Sequence, residues 1–493
     1  MKRLLLCFFT VTALVIITGC LGSKAQGKSV TDPDFFENEI KGEISISVYD
    51  SMLYKNFLEE AARLFEEKYP GTKIKIEAFS IMPEIKTIEV DGQFISVMES
   101  SDDIQARNDY INRVNTKIMS ADGADIYALD ILPLIKLINS GSLENLDDYM
   151  TLDPEFNKSD YSSNVIEALR FRGGIWLMPL NYSFNYYKYD SILIPSHNAQ
   201  GFGADKAFST DELLKFGAPF FNGSSMLFNY TGGYGSMFRQ LTSENFRSFV
   251  NMDTGRANFT GGGYAELLES VNYYSDIGYI GKDEISRADF TDIEDLLQRM
   301  AETSAQRVFF KLDNSYFLIN LFIRDIAQWM NTGFSGGFVP VIEDDDKIAG
   351  IQANADGTVP FSYNFGFGIN SSSKNKETAW AFIKFLLSDE IQMLPYVFFL
   401  PVNNKARNEK HEFDFKMFLG ISERELDNRQ LQAMENYISA VESLSGQINT
   451  YIIQDANIND MIIQEVQNFF NGTRSADETA RILQNKIDLY LSE

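Results

Sequence analysis

The chain has 493 residues, too many for one small domain and enough for two or three that each bury a full core. It is 44% hydrophobic and 13% aromatic, the composition of a globular protein rather than a disordered or fibrous one. Its 69 acidic against 43 basic side chains give a net charge of −26, which repels phosphate backbones and argues against nucleic acid as a partner, and its two histidines leave little for histidine-based metal or general-base chemistry.

Lys2 and Arg3 form a short basic stretch, followed by an apolar run from Leu4 to Ile17. The run is too short to span a bilayer stably and has the flanks of a signal peptide over residues 1–19. It ends in Ile17-Thr18-Gly19-Cys20, which resembles a bacterial lipobox, where the cysteine becomes the lipidated first residue of the mature chain. The alternative is an ordinary secretory signal with a coincidental cysteine. Cys7 would be removed, so Cys20 is left as the only mature cysteine and no intramolecular disulfide can form. Residues 20–42 then read as a tether to the outer face of the cell membrane.

Ile44, Ile46 and Val48 alternate as in a strand that stops at Tyr49-Asp50. Phe57, Leu58, Ala61, Leu64 and Phe65 follow helical spacing, closed by Pro70-Gly71, and Ile74, Ile76 and Ala78 alternate again. Strand–helix–strand implies a parallel pair and an α/β fold, with ligands expected beyond the carboxyl ends of the strands. Glu84 to Asp103 is a mixed, acidic surface excursion. Tyr110 to Met119 is helical, Ala124 to Leu129 is a short buried strand ending at Asp130, and Pro133 to Asn139 is the next helix. Trp176 to Tyr189 is an aromatic-rich extended run. Ser209-x-x-Glu212 and Ser475-x-x-Glu478 are capping boxes that open helices. Glu343 to Asp346 is expected as a solvated turn. Ala379, Trp380, Ile383, Leu386 and Leu387 form one helical face, and the last quarter of the chain is mostly helical.

Phosphate-loop, nucleophile-elbow, zinc-protease and C-x-x-C motifs are missing from the mature sequence, and neither a metal site nor a cofactor is expected. His197 and His411 lie in polar stretches and read as surface residues. Aromatic and amide residues gather instead at predicted strand ends: Tyr49, Asn181, Tyr182, Tyr186, Tyr187, Tyr230, Tyr234, Tyr316, Tyr363, Asn364 and Phe365. Aromatic faces stack on the C–H faces of sugar rings, while Asp and Asn reach hydroxyls. Any one of these rings is equally a candidate for the core.

The segment order resembles the family 1 extracellular solute-binding lipoproteins of carbohydrate-type ABC transporters. The resemblance is carried by Ile44–Tyr49 with Phe65–Gly71, by Gly123–Tyr127 with Gly141–Asp147, and by Gly174–Pro179 with Tyr186–Asp190. It continues in Gly368-Ile369-Asn370 with Ser373–Phe382, then in Leu400–Asn403. The family commonly has Tyr-Asn-Lys where this chain has Tyr187-Lys188-Tyr189-Asp190, and Glu84–Asp103 and part of Ile342–Val359 look like insertions.

The resemblance implies a two-lobed, periplasmic-binding-protein-like fold of type II, with hinge strands and a helical C-terminal quarter. Lobe one would comprise 43–180 plus 313–370, and lobe two 181–312 plus 371–493. The expected crossings are at Pro179–Leu180, Leu312–Asp313 and near Ile369–Asn370. The implied cleft residues are Tyr49, Asp50, Asp130 and Tyr316 from lobe one, Asn181, Tyr182 and Tyr234 from lobe two, and Tyr363, Asn364 and Phe365 near the hinge. The implied function is that of a monomeric, non-enzymatic receptor that captures an oligosaccharide and delivers it to an ABC permease. Alternatives are the same fold binding a peptide or polyamine, a glycan sensor, or a surface glycan-active enzyme.

Overall fold

The computed structural model describes residues 28–37, 39–50, 54–80, 84–90, 93–99, 104–120, 122–223, 225–228, 233–280, 307–315, 318–323, 345–394, 399–419, 425–453 and 455–492. The signal segment, Cys20, Tyr230 and Tyr316 lie outside these residues, as does the side chain of Tyr234.

Strand β1 (Gly42–Asp50) buries Ile44, Ile46 and Val48 completely, as its alternation requires. The helix Tyr54–Lys68 lays Phe57, Leu58, Ala61 and Phe65 on the sheet, and the chain returns as β2 (Thr72–Ser80), parallel to β1 with Ile44 opposite Ile74. The segment Glu84–Val90 pairs antiparallel with Gln93–Glu99, so the acidic excursion is a hairpin. Helix Ile104–Met119 leads to β3 (Ile126–Ala128), parallel to β1 on its other side. Two short strands complete this sheet: β4 (Met178–Pro179) and, much later in sequence, β10 (Gly366–Ile369), which runs antiparallel between β3 and β4. The order is β2-β1-β3-β10-β4. Gly368 is dictated by this placement, because a Cβ there would meet Leu129 Cδ1 at 2.7 Å and the Trp176 carbonyl oxygen at 2.8 Å.

The second sheet is built from β5 (Asn185–Asp190), β6 (Ala207–Phe208), β7 (Met226–Phe228), β8 (Val308–Asn314) and β9 (Asp346–Gln352), in the order β7-β8-β5-β9-β6. Ser209 caps the helix Thr210–Gly217 through the reciprocal box with Glu212 read from the sequence. The buried apolar side chains form two cores, and the second sheet contributes to both: Tyr187, Phe310 and Ala349 lie in the second core, Tyr186 and Ile351 in the first.

The chain divides between these cores differently from the sequence expectation. Strands β8 and β9 belong to the second sheet, whereas Leu318 and Ile319 are buried in the first core, so the described part of the expected lobe-one span 313–370 is divided between the two cores. Helix Lys376–Leu386 packs on the first core, where Trp380 Nε1 donates to Asp153 at 2.7 Å and Lys376 pairs with Glu144 at 2.7 Å. Helices Asn404–Phe418 and Asn428–Ser445 join the same core, and only the last two, Ala456–Phe470 and Ala476–Ser492, lie on the second. An amphipathic helix shows that it buries a face, but not which sheet it buries that face against.

Two further expectations are corrected. Asp345 and Asp346 are not a solvated turn: Asp346 is buried in β9 beside Lys188 and Lys311, and Asp345 pairs with Arg307 at 2.7 Å. His411 is not on the surface but sits buried inside helix Asn404–Phe418, whereas His197 is exposed.

Candidate functional site

The chain passes between the cores in several adjacent segments. Ser183 and Ser362 exchange two backbone hydrogen bonds of 2.8 Å, and Ser315 donates its amide to the Phe184 carbonyl at 2.8 Å. Val359 accepts from the amides of Asn449 and Thr450 at 3.1 and 3.2 Å. Among the described residues the crossings thus lie at about 182–185, at 314–315, at 353–362 and at 449–453. The expected first and second positions are a few residues early, and Ile369–Asn370 is inside the first sheet rather than at a crossing.

Asp130 follows β3 on the first-core side of this junction. Its surface is open to solvent, yet loss of hydration among the surrounding protein pushes its carboxyl up to about 6. The two facts are compatible for a side chain that water reaches on one side while closely packed protein surrounds it on the others. The Tyr54 hydroxyl and the backbone amides of Phe365 and Gly366 act in the opposite direction by hydrogen bonding to the carboxylate.

Aromatic rings surround this carboxylate. Tyr54 is buried at the start of its helix, and desolvation and the Asp130 charge raise its hydroxyl pKa well above the usual phenol value. Tyr363 and Tyr451 are half-buried with ring centroids 5.2 Å apart, and burial pushes Tyr451 up to about 12. Gly366 leaves room for this pair, since a Cβ there would lie 2.4 Å from the Tyr363 ring. Phe365 packs 3.9 Å from Tyr54, centroid to centroid, with a backbone φ of 61°. Non-glycine residues rarely adopt that conformation, and it persists where surrounding structure enforces it.

The structure therefore brings Asp130, Tyr363, Asn364 and Phe365 together, with Asn364 exposed. Asn181 is fully buried and acts from behind: its Oδ1 accepts from the Asn364 amide at 3.0 Å and fixes the turn. Asp50 is buried and accepts from the Lys55 amide at 3.3 Å, close to the start of the first helix. Tyr49 is half-buried in a layer with Phe79 and Tyr110. Tyr182 is 1% exposed and a core residue of the first lobe, as is Asn181 by its position in β-pairing with Pro401.

Sequence reasoning missed Tyr54 and Tyr451. Tyr54 was findable, as the first helical aromatic after the β1 terminus. Tyr451 lies in an irregular segment and carries no local signal. Among the described residues, no group of three or more His, Cys, Asp or Glu could hold a metal ion, and no helix is long and apolar enough to cross a membrane.

Two α/β cores joined by adjacent crossings, with an enclosed carboxylate and aromatic rings at the junction, define the two-lobed binding-protein fold. Solved structures share it. The sugar-binding protein MalE from Xanthomonas citri aligns with a TM-score of 0.56 at 12% identity, over 92% of this chain and 98% of that one. A family 1 extracellular solute-binding protein from Alicyclobacillus acidocaldarius aligns at 0.54 and 15% identity, over 92% and 100%. The ABC substrate-binding protein Lmo0181 from Listeria monocytogenes, solved with cycloalternan, aligns at 0.50 and 16%, over 92% and 99%. Residues 313–393 match the family model for bacterial extracellular solute-binding proteins. That segment holds the Gly368–Phe382 block, one of those that carry the resemblance. The family read from the sequence, the family 1 extracellular solute-binding proteins of ABC transporters, is the one these findings support.

Proposed function

We propose that this chain is a lipid-anchored extracytoplasmic receptor that captures an oligosaccharide between its two lobes and hands it to an ABC permease. The observation that carries the reading is the junction itself. Asp130 is an acceptor for hydroxyl groups, the Tyr363–Tyr451 pair offers ring faces for sugar C–H groups, and both stand where lobe closure would trap a ligand. The carbohydrate class draws support from the sugar-binding Xanthomonas protein and from the cycloalternan held by the Listeria protein. The receptor works as a monomer and binds its cargo without turnover. The anchor is the Cys20 thiol, so Cys20→Ala should release the protein from membranes.

The test is a thermal-shift screen of the chain from about Lys28 against mono- and oligosaccharides, peptides and polyamines. A ligand at 100 times its Kd adds about 2.7 kcal/mol to stability. A shift with one glycan class, with the sugar recovered unchanged, establishes the reading. A shift with a peptide or polyamine alone keeps the fold and overturns the cargo, and sugar recovered cleaved makes the protein an enzyme.

A further inference from the structure

Helix Asn404–Phe418 borders a small cavity of about 20 Å³, room for one water molecule or one monatomic ion. Its polar lining comes from three parts of the chain. Arg407, Lys410, His411 and Asp414 project from this helix, Tyr437 from helix Asn428–Ser445, and Ser315 from the crossing at 314–315. The remaining lining side chains are apolar. The cluster follows from helical spacing, since positions three and four apart share one face.

These polar groups are mostly donors. Arg407 and Lys410 cannot accept, and Arg407 spends one arm on the Ser162 hydroxyl at 2.5 Å. The Ser315 hydroxyl accepts from the Phe184 amide at 3.2 Å, which leaves its proton to give. Asp414 is the one carboxylate in the described lining, and it is already paired with Lys410 at 3.1 Å. His411 is the independent observation. It is 2% exposed, stands perpendicular to the Tyr437 ring at 5.3 Å, and its Nε2 has no hydrogen-bond partner among the described residues. A buried nitrogen left unpaired costs free energy unless something outside the polypeptide meets it. A water molecule would satisfy the nitrogen alone. An anion would satisfy it and also offset two cations that share one carboxylate.

We propose that this cavity is a site for one monatomic anion, a halide such as chloride, held by His411 Nε2, the Arg407 and Lys410 cations and the Ser315 and Tyr437 hydroxyls. The proposal is independent of what the chain captures beside Asp130. Anion and proton favour each other here. Burial and the Arg407 and Lys410 charges lower the His411 pKa to about 4, and a negative charge beside Nε2 acts against both causes. The other titratable groups facing the ring are Asp414 and Tyr437, and burial raises the pKa of each. By linkage, whatever factor the anion adds to proton binding, the proton adds to anion binding. Because Ser315 belongs to a crossing and the other ligands to two helices of the first core, occupancy makes the stability of this junction depend on halide and on pH.

The chain has two histidines, and exposed His197 serves as an internal control. The test follows the two imidazole Cε1–H resonances by NMR in the chain from Lys28, which keeps every described residue. Titrations are run in sodium chloride and in sodium gluconate at equal ionic strength, gluconate being too large for the cavity. In chloride the His411 midpoint should lie about one pH unit higher, which corresponds to about tenfold tighter chloride binding by the protonated ring, while that of His197 stays put. Arg407→Met/Ser315→Ala should shrink the difference between the salts with an unchanged circular dichroism spectrum. Should that variant fail to fold, bromide anomalous scattering from wild-type crystals decides, with a peak expected within hydrogen-bond distance of His411 Nε2. Equal His411 midpoints in the two salts overturn the proposal, as does an ordered water at the nitrogen with no bromide peak. A difference that the Arg407/Ser315 variant keeps in full overturns it too.

Discussion

The Tyr54 hydroxyl accepts a 2.7 Å hydrogen bond from the backbone amide of Phe365, the residue whose φ of 61° marks the wall of the site. With its lone pair engaged, the hydroxyl has its proton left to give to Asp130. One phenol thus ties a hinge-side amide to the carboxylate at the end of β3. Tyr54→Phe should orphan the amide and remove a donor from the carboxylate. The expected cost is about 1–3 kcal/mol in denaturant unfolding, with the Asp130 titration moving further up. An unchanged unfolding midpoint would show that the hydroxyl carries no such link.

Asp130 gives a pH dependence with a definite sign. Its folded pKa of about 6 stands above the ordinary aspartate value of 3.8, so the folded state holds the proton more tightly than the unfolded chain. The stabilisation is complete below about pH 4 and is lost as pH rises through about 6. Asp130→Asn removes this titration. The melting temperature of the variant relative to wild type should therefore climb between about pH 4 and 6 and level off above. Melts at three pH values across that window test it, and a pH-independent difference would refute it. If Asp130 accepts ligand hydroxyls, the same variant should also lose about 10- to 100-fold in affinity at neutral pH.

Tyr182 and Tyr363 were equivalent candidates on sequence and have opposite consequences in the fold. Tyr182 is 1% exposed, and Tyr182→Ala should cost several kcal/mol, about 3–5 by analogy with other buried aromatics, before any effect on binding can be seen. Tyr363 is half-buried against Tyr451, and Tyr363→Leu should weaken ligand binding more than it lowers stability. Gly366→Ala should reproduce the binding defect by displacing the Tyr363 ring. Calorimetry on the three variants separates the cases, and a stable Tyr182→Ala protein with impaired binding would return Tyr182 to the site.

The periodicity of β1, its helix and β2 was legible because each buries one face against the same sheet, and the capping box at Ser209 was legible because it is local chemistry. Asp130 was legible as the residue beyond a short apolar strand. Lobe membership was not. Helix Lys376–Leu386 is held to the first core by Asp153 and Glu144, more than 220 positions earlier, and no local pattern encodes that distance. The same holds for Tyr451, which reaches the site only because the crossing near Thr450 runs beside Val359. Tyr182 shows the converse failure: an aromatic at a strand end looks the same whether it faces a recess or a core.

His411 offers a second titration, of the opposite kind to Asp130. It is 2% exposed in helix Asn404–Phe418, its Nε2 has no hydrogen-bond partner among the described residues, and it lines a small cavity with Ser315, Arg407, Lys410, Asp414 and Tyr437. Burial and the neighbouring Arg407 and Lys410 charges lower its pKa to about 4 from 6.5, so the imidazole is neutral in the folded protein. A base whose folded pKa is depressed contributes stability that is fully present above the unfolded value and is lost as pH falls. The loss begins near pH 6.5 and approaches its limit of about 3 kcal/mol as pH nears 4. Asp414 lies close by, paired with Lys410 at 3.1 Å, and burial raises its carboxyl pKa, so it does not supply a free countercharge. His411→Gln removes the titration and should flatten stability between pH 6.5 and 4 while costing some packing at pH 8. Urea unfolding of both proteins at pH 8, 6 and 4.5 reads the difference directly. Parallel losses in the two proteins on acidification would mean that His411 is not the group that titrates.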